Sequence, residues 1–330
     1  MKIVVLCGGV GGARFLRGLR THVEQALPDA ELRAVVNTGD DMWLAGLRIA
    51  PDLDTITYTL AGLNDEERGW GRVGETDRVS TELQAHGVGW PWFTLGDLDL
   101  GTHIARTSHL RSGLSLTEAT ALITARWPLG VELLPVTNDE VETQVVTDEG
   151  TMHFQEWWTR HRARLVAREF VQQGIASSAA APSALAALHE ADVILIAPSN
   201  PVVSVGTVLG IPGVREAVTA ASVPVIGVSP IISGAVVRGM ADACLTAIGV
   251  ETTALAVARH YGARSAGGLL DGWLVDKSDA ADLPALEALG LRAAAVPLWM
   301  RDCATSARLA ADALALGLKE AGRGLSARIS

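Results

Sequence analysis

Three carboxylates follow a glycine-rich loop near the start of the chain. The loop is Gly8-Gly9-Val10-Gly11-Gly12. Asp40 and Asp41 stand side by side in the turn Asn37-Thr38-Gly39-Asp40-Asp41, and Asp54 lies in Pro51-Asp52-Leu53-Asp54-Thr55. Glycines at a strand-to-helix turn let backbone N–H groups approach an anion closely, and the helix N-terminus favours negative charge. Carboxylates that converge near a phosphate commonly do so through Mg²⁺, a hard cation that takes oxygen ligands. These residue types and spacings point to a phosphate-bearing ligand, with Asp40, Asp41 and Asp54 as its Mg²⁺ set. Taken singly, Asp40-Asp41 also reads as a solvated turn, and Asp54 as an acid placed on a helix dipole, as Asp52 does.

The glycines leave the class of nucleotide open. A dinucleotide fingerprint has Gly-x-Gly-x-x-Gly, and counted from Gly9 the third glycine position holds Arg14. A Walker-type loop needs a lysine, and this loop has none. A tight strand-to-helix turn without a ligand is the plain alternative. A second polar turn, Ser199-Asn200-Pro201 with Ser204 and Gly206, suits an anion or a base, because Asn offers both donors and acceptors. It reads equally as an ordinary connection, where Asn-Pro is common. Gly96-Asp97-Leu98-Asp99 leads into a helix holding His103, and one of its aspartates suits an N-cap. Trp43, Trp70, Trp90 and Trp92 crowd the first third, suited to a core or to the flanks of a flat heteroaromatic ligand. No Ser-His-Asp order, HExxH or paired CxxC appears, so covalent and zinc chemistry find no support.

The elements that position these residues alternate between strand and helix. Lys2-Ile3-Val4-Val5-Leu6-Cys7 is an apolar, β-branched run and reads as a buried strand, followed by a helix from Arg14. Further strands are expected at 31–36, 191–196, 223–228, 270–275 and 291–297, each ending in a polar or Pro/Gly-bearing cluster. Ligands of open α/β sheets bind outside the carboxyl ends of strands, so these clusters converge on one cleft. From about 56 to 127 the spacing becomes helical, at 78–86, 100–110 and 115–127. The segments 131–137, 143–147 and 151–154 alternate and are expected to form a small antiparallel excursion. A last helix is expected from Cys303 to Ala321, with 322–330 fraying. The fold expected is α/β: a Rossmann-like, doubly wound, mostly parallel sheet formed by 1–55 and 128–330, with 56–127 as an inserted helical subdomain.

Composition agrees. Of 330 residues, 48% are hydrophobic and 19% charged, as expected when helices cover both faces of a parallel sheet. The net charge is −10 with no basic run, which argues against nucleic acid as partner. Cys7, Cys244 and Cys303 are odd in number and widely separated, which fits a reducing cytoplasm. No signal-type leader or membrane-spanning run is seen, so a cytoplasmic location without a membrane partner is expected.

Seven motifs run in order over essentially the whole chain: GGVGGARFL, VNTGDDMW, PDLDTITYTL, WFTLGDLDLGTH, APSNPVVSVG, VSPIISGAVVRG and WLVDKSDA. Together they resemble the 2-phospho-L-lactate transferase family of deazaflavin (coenzyme F-420) biosynthesis, including its actinobacterial phosphoenolpyruvyl-transferring members. The resemblance implies a Rossmann-like core with a helical subdomain, a homodimer and Mg²⁺ dependence. It also implies a reaction joining a guanosine-diphosphate-activated three-carbon acid to the deazaflavin alcohol, with release of GMP. On that footing Asp40, Asp41 and Asp54 are assigned to Mg²⁺ or to the deazaflavin hydroxyls, one of them assisting deprotonation. Gly9, Gly11 and Gly12 give the anion-facing backbone, and Asn37 and Thr38 contact substrate. Ser199, Asn200 and Ser204 hold the guanosine nucleotide, Asp97 lines the deazaflavin pocket, and Arg238 contacts phosphate. Two positions depart from the family's pattern: Leu98 replaces a commonly basic residue, and Arg238 stands where lysine is common. The competing readings are a non-catalytic nucleotide-sugar-binding regulator of related fold and a NAD(P)-dependent oxidoreductase.

Overall fold

A computed structural model of the protein describes residues 1–318. Seven strands build the central sheet: β1 (Lys2–Cys7), β2 (Glu31–Val36), β3 (Glu132–Pro135), β4 (Val193–Ile196), β5 (Val225–Val228), β6 (Gly272–Asp276) and β7 (Arg292–Val296). They are all parallel, in the order β7-β6-β5-β4-β1-β2-β3. The order reverses at β1, so the connections leaving β1 and β4 diverge and open a crevice at their carboxyl ends. The expected doubly wound fold is thus present.

The strands form because consecutive apolar residues bury opposite faces. Ile3, Val5 and Cys7 pack under helix α1 (Gly9–Ala26), helix α2 (Pro51–Ala61) and the last described helix, Cys303–Leu318. Val4 and Leu6 pack on the other face, with helices Pro182–Glu190, Val205–Gly210 and Ala254–Tyr261. The expected continuation of the last helix to Ala321, and the fraying of 322–330, lie outside the described residues.

Between β2 and β3 the chain leaves the sheet. A short hairpin, Met42–Leu44 with Leu47–Ile49, leads into α2. Helices α3 (Arg78–Ala85), α4 (Asp97–Arg111) and α5 (Leu116–Thr124) follow. Pro51 opens α2 at a position where its missing N–H costs nothing. Ser115 and Glu118 cap α5 reciprocally: Glu118 N–H donates to Ser115 Oγ at 3.3 Å, and Ser115 N–H donates to the Glu118 carboxylate at 2.8 Å.

One expectation is corrected. The stretch at 131–137 is not part of the antiparallel excursion; β3 pairs in parallel with β2 at the edge of the main sheet. Leu133 and Leu134 are both buried, one on each face, which suits a strand covered on both sides. The antiparallel sheet consists of Gly150–His153, Glu142–Thr147 and Ala167–Gln173. Among the described residues, no helix is long and apolar enough to cross a membrane.

Candidate active site

A cavity of about 790 Å³ opens at the carboxyl ends of β1 and β4. The glycine loop and the turn after β4 meet at its floor. Gly8 N–H donates to Ser199 Oγ at 3.1 Å, and the Ser199 hydroxyl donates back to Gly8 O at 2.8 Å. The two segments approach so closely that a Cβ on Gly11 would lie 2.4 Å from Pro198 O. Gly9 and Gly11 line the cavity, and Gly12 packs behind them against Cys7 and Ser199. Helix α1 begins with no side-chain cap and no acid in its first turn. A carboxylate arrives from elsewhere, because Gly9 N–H donates to Asp52. The anion-facing backbone is therefore narrower than the glycine count suggests.

Asp52 is the acid that sequence reasoning left as a helix-dipole residue. It lines the cavity, lies against Gly8 and accepts from Asn37 Nδ2 at 2.9 Å. Residues two apart on a helix are turned by about 200°, so Asp52 and Asp54 face opposite sides of α2. That geometry was the available signal for choosing between them. Burial pushes the Asp52 carboxyl up to about 6, although the bonds from Asn37 and Gly9 favour its charged form. Asp40 also lines the cavity. Burial, then the charges of Asp52 and Asp41, hold its carboxyl well above the ordinary range. Asp40 Oδ1 is buried without a hydrogen-bond partner. Two oxygen-bearing groups that resist ionising together, one with an orphaned oxygen, fit a small hard cation such as Mg²⁺.

Asp41 and Asp54 are not part of that wall. Asp41 is fully buried, 3.7 Å from Arg48 Nη2. Burial pushes it up to about 7, against the pull of Arg48 and Arg106. Asp54 is bound by Arg106 Nη2 and lies 3.5 Å from His103 Nδ1. His103 Nε2 lies 3.3 Å from Asp99 Oδ2, and the Tyr58 hydroxyl donates to Asp99 Oδ1 at 2.7 Å. Asp54, Asp99 and His103 place one potential metal-ligand atom each within 4.8 Å of one another. The Arg106 guanidinium already supplies Asp54 with a cationic partner, so the cluster stands as a buried ion network beside the cavity.

The remaining sequence candidates divide in the same way. Ser199, Asn200 and Ser204 line the cavity. Asn200 also closes its own turn, its Oδ1 accepting from Val202 N–H at 2.9 Å and Val203 N–H at 3.3 Å. Asn37 and Thr38 are buried behind the wall, where Asn37 orients Asp52 and accepts from Gly39 N–H at 2.9 Å. Asp97 lies outside the wall, accepting from Thr76 N–H at 2.8 Å and the Thr76 hydroxyl at 2.9 Å at the start of α4. Arg238 lines the cavity and donates to Gly69 O at 3.4 Å.

Sequence reasoning missed a set of arginines at the mouth. Arg14, Arg68 and Arg301 join Arg238 on the wall. Burial, then the neighbouring Arg238, holds the Arg14 guanidinium below its ordinary value. Arg68 stacks on Trp70, 4.8 Å from the ring centroid, and Arg301 lies 6.0 Å from that of Trp299. Both tryptophans line the cavity while remaining 44% and 45% exposed. Trp299 and Arg301 sit in a loop after β7, and nothing local in the sequence connects them to the glycine loop.

The family model of 2-phospho-L-lactate transferase CofD matches residues 3–294. Relatives described as phosphoenolpyruvate transferase occur in Streptomyces griseus, 53% identical over 96% of this chain and 98% of theirs. Thermobifida fusca has another, 53% identical over 97% and 99%, and Mycobacterium avium one that is 50% identical over 96% and 98%. A solved structure of a UPF0052-family protein from Bacillus halodurans superposes with a TM-score of 0.61 at 18% identity, covering 95% of this chain and 98% of that one, and so shares the fold. The glycine loop, the carboxylates and all of the cavity wall except Leu298–Arg301 lie within the matched region, and the chain belongs to the 2-phospho-L-lactate transferase CofD family.

Proposed function

We propose that the chain transfers a phosphoenolpyruvyl or 2-phospho-L-lactyl group from a guanosine-diphosphate-activated donor. The acceptor is the terminal ribityl hydroxyl of 7,8-didemethyl-8-hydroxy-5-deazariboflavin, and GMP is released. The observation that carries this reading is one cavity joining two carboxylates, the N-terminus of α1 and four arginines, Arg14, Arg68, Arg238 and Arg301. A diphosphate ester needs such a mixture, with cationic groups for its phosphates and oxygen ligands for the metal it carries.

The acceptor hydroxyl attacks the phosphorus that bears the three-carbon acid. The bond from that phosphorus to GMP breaks, and a phosphodiester forms. Asp40 and Asp52 would hold Mg²⁺, which when bound would neutralise charge on the diphosphate. Arg14 and Arg238 bind phosphate oxygens, and Arg238 does so with a forked geometry that lysine lacks. Ser199, Asn200 and Ser204 face the guanosine nucleotide. Trp70 and Trp299, each backed by an arginine, offer their faces to flat rings. A proton leaves the hydroxyl as it attacks, and Asp40 takes it on the carboxylate oxygen not given to the cation. Positioning and electrostatics supply most of the acceleration.

In the same reading, 56–127 is an inserted subdomain on a core formed by 1–55 and the chain from 128 onward. The chain acts as a homodimer, which light scattering of the purified protein tests. The function itself is tested by supplying deazaflavin alcohol, Mg²⁺ and either the lactyl or the enolpyruvyl donor. Mass spectrometry then reads the phosphodiester. Product from one donor names the transferase, and ligand binding without product supports a regulator instead.

A further inference from the structure

Asp40 and Asp52 face the cavity from separate segments, the turn after β2 and the first turn of α2. Each has an acidic neighbour that faces away from it. Behind Asp40, the fully buried Asp41 lies 3.7 Å from Arg48 Nη2. Behind Asp52, Asp54 is bound by Arg106 Nη2 from α4. The two ends are joined, because Arg106 Nη1 donates to the Arg48 carbonyl at 3.2 Å. Arg48 N–H in turn donates to Thr107 Oγ1 at 2.8 Å, fixing the same hairpin strand to α4. His103 Nδ1 lies 3.2 Å from Arg106 Nη1, so the guanidinium is held on several sides.

Arg106 is 2% exposed, Arg48 3% and Asp54 5%. Ions buried this deeply are costly unless paired, and pairing alone adds little net stability. Such a network is better suited to fixing geometry than to stabilising the fold. We infer that Arg106 is a positioning residue that sets the spacing of Asp40 and Asp52 from behind, and so sets the affinity of the cavity for a divalent cation. The inference rests on the reading of Asp40 and Asp52 as the cation ligands. Arg106 touches neither of them.

Mn²⁺ binding to the purified chain without substrates, followed by electron paramagnetic resonance, tests this apart from activity. Arg106→Lys keeps the charge but loses the forked contact that spans Asp54 and the Arg48 carbonyl. It is expected to weaken Mn²⁺ binding about tenfold or more, and Arg48→Lys perturbs the same path if Arg106 variants do not fold. Ile56→Val, a buried change on α2, the helix that carries Asp52 and Asp54, controls for lost stability and is expected to bind Mn²⁺ as the parent does. Parent-like affinity in folded Arg106→Lys and Arg48→Lys overturns the inference while leaving the cation site intact. Binding that survives Asp52→Asn but is lost in Asp99→Asn places the cation at Asp54, Asp99 and His103, and overturns both the inference and the reading of Asp40 and Asp52. A parent protein that binds no Mn²⁺ likewise overturns both.

Discussion

The Asn37 side-chain amide donates to the Asp52 carboxylate at 2.9 Å, tying the end of β2 to the first turn of α2. The same carboxylate accepts from Gly9 N–H, so Asp52 is where the second strand, the glycine loop and α2 meet. Its placement explains why the first turn of α1 needs no acid of its own: the negative charge comes from α2.

Asp52→Asn is therefore expected to lower the transfer rate at least ~10²-fold, about 2.7 kcal/mol of transition-state stabilisation. Asn37→Ala removes the orienting bond, along with the bond that Asn37 Oδ1 accepts from Gly39 N–H, and should raise the Mg²⁺ needed for half-maximal rate several-fold, the scale of one charge-assisted hydrogen bond. Initial rates against Mg²⁺ concentration check both. Full turnover in Asp52→Asn would remove this residue from the mechanism.

Trp70→Leu and Trp299→Leu keep apolar bulk but lose a stacking face. Each is expected to raise the KM for one ring-bearing substrate about tenfold, matching a stacking contribution of about 1 kcal/mol or slightly more. Steady-state kinetics with each substrate varied in turn assigns one tryptophan to the guanine and the other to the deazaflavin. Unchanged KM values in both variants would contradict a ring-binding role.

His153 gives a pH dependence of stability. It is 8% exposed, Nδ1 accepts from Gln155 N–H at 3.0 Å, and burial pushes it down to about 4. The unfolded chain binds a proton near 6.5, where the folded chain does not, so this residue's contribution is complete above pH 6.5. It is lost as pH falls from 6.5 towards 4, by about 3 kcal/mol at most. His153→Gln should flatten that part of the stability curve. Urea unfolding of both proteins at pH 4.5 and 7.5 checks it, and parallel curves for the two proteins would contradict it.

Gly11→Ala introduces a Cβ 2.4 Å from Pro198 O, and the neighbour is backbone that cannot swing aside. The cost of such overpacking is about 1–3 kcal/mol. Thermal unfolding should show a lower Tm, and activity should fall with it because the cavity floor shifts. A parent-like Tm would mean that the loop and the turn after β4 are not locked together.

The parallel sheet was legible because apolar runs and the polar clusters after them follow chain order. The edge strand Glu132–Pro135 was legible as a strand but not its place in the main sheet, since antiparallel segments follow it directly and its partner, Glu31–Val36, lies about a hundred residues upstream. At the site, Gly9, Gly11, Asp40, Ser199 and Ser204 were singled out from local motifs and Arg238 from the family resemblance, and all of these line the cavity. Choosing between Asp52 and Asp54 required knowing which side of α2 faces the loop. The Arg106 network and the Trp299–Arg301 lip were not legible, because tertiary packing alone brings them to the site.

The most direct test follows GMP release by purified protein supplied with deazaflavin alcohol and the guanosine-diphosphate-linked donor, with Mg²⁺ or with EDTA, for the parent and Asp52→Asn. The account predicts Mg²⁺-dependent GMP in step with the deazaflavin phosphodiester in the parent, and at least ~10²-fold less in the variant. GMP and phosphodiester formed equally with EDTA, or equally by Asp52→Asn, would contradict it.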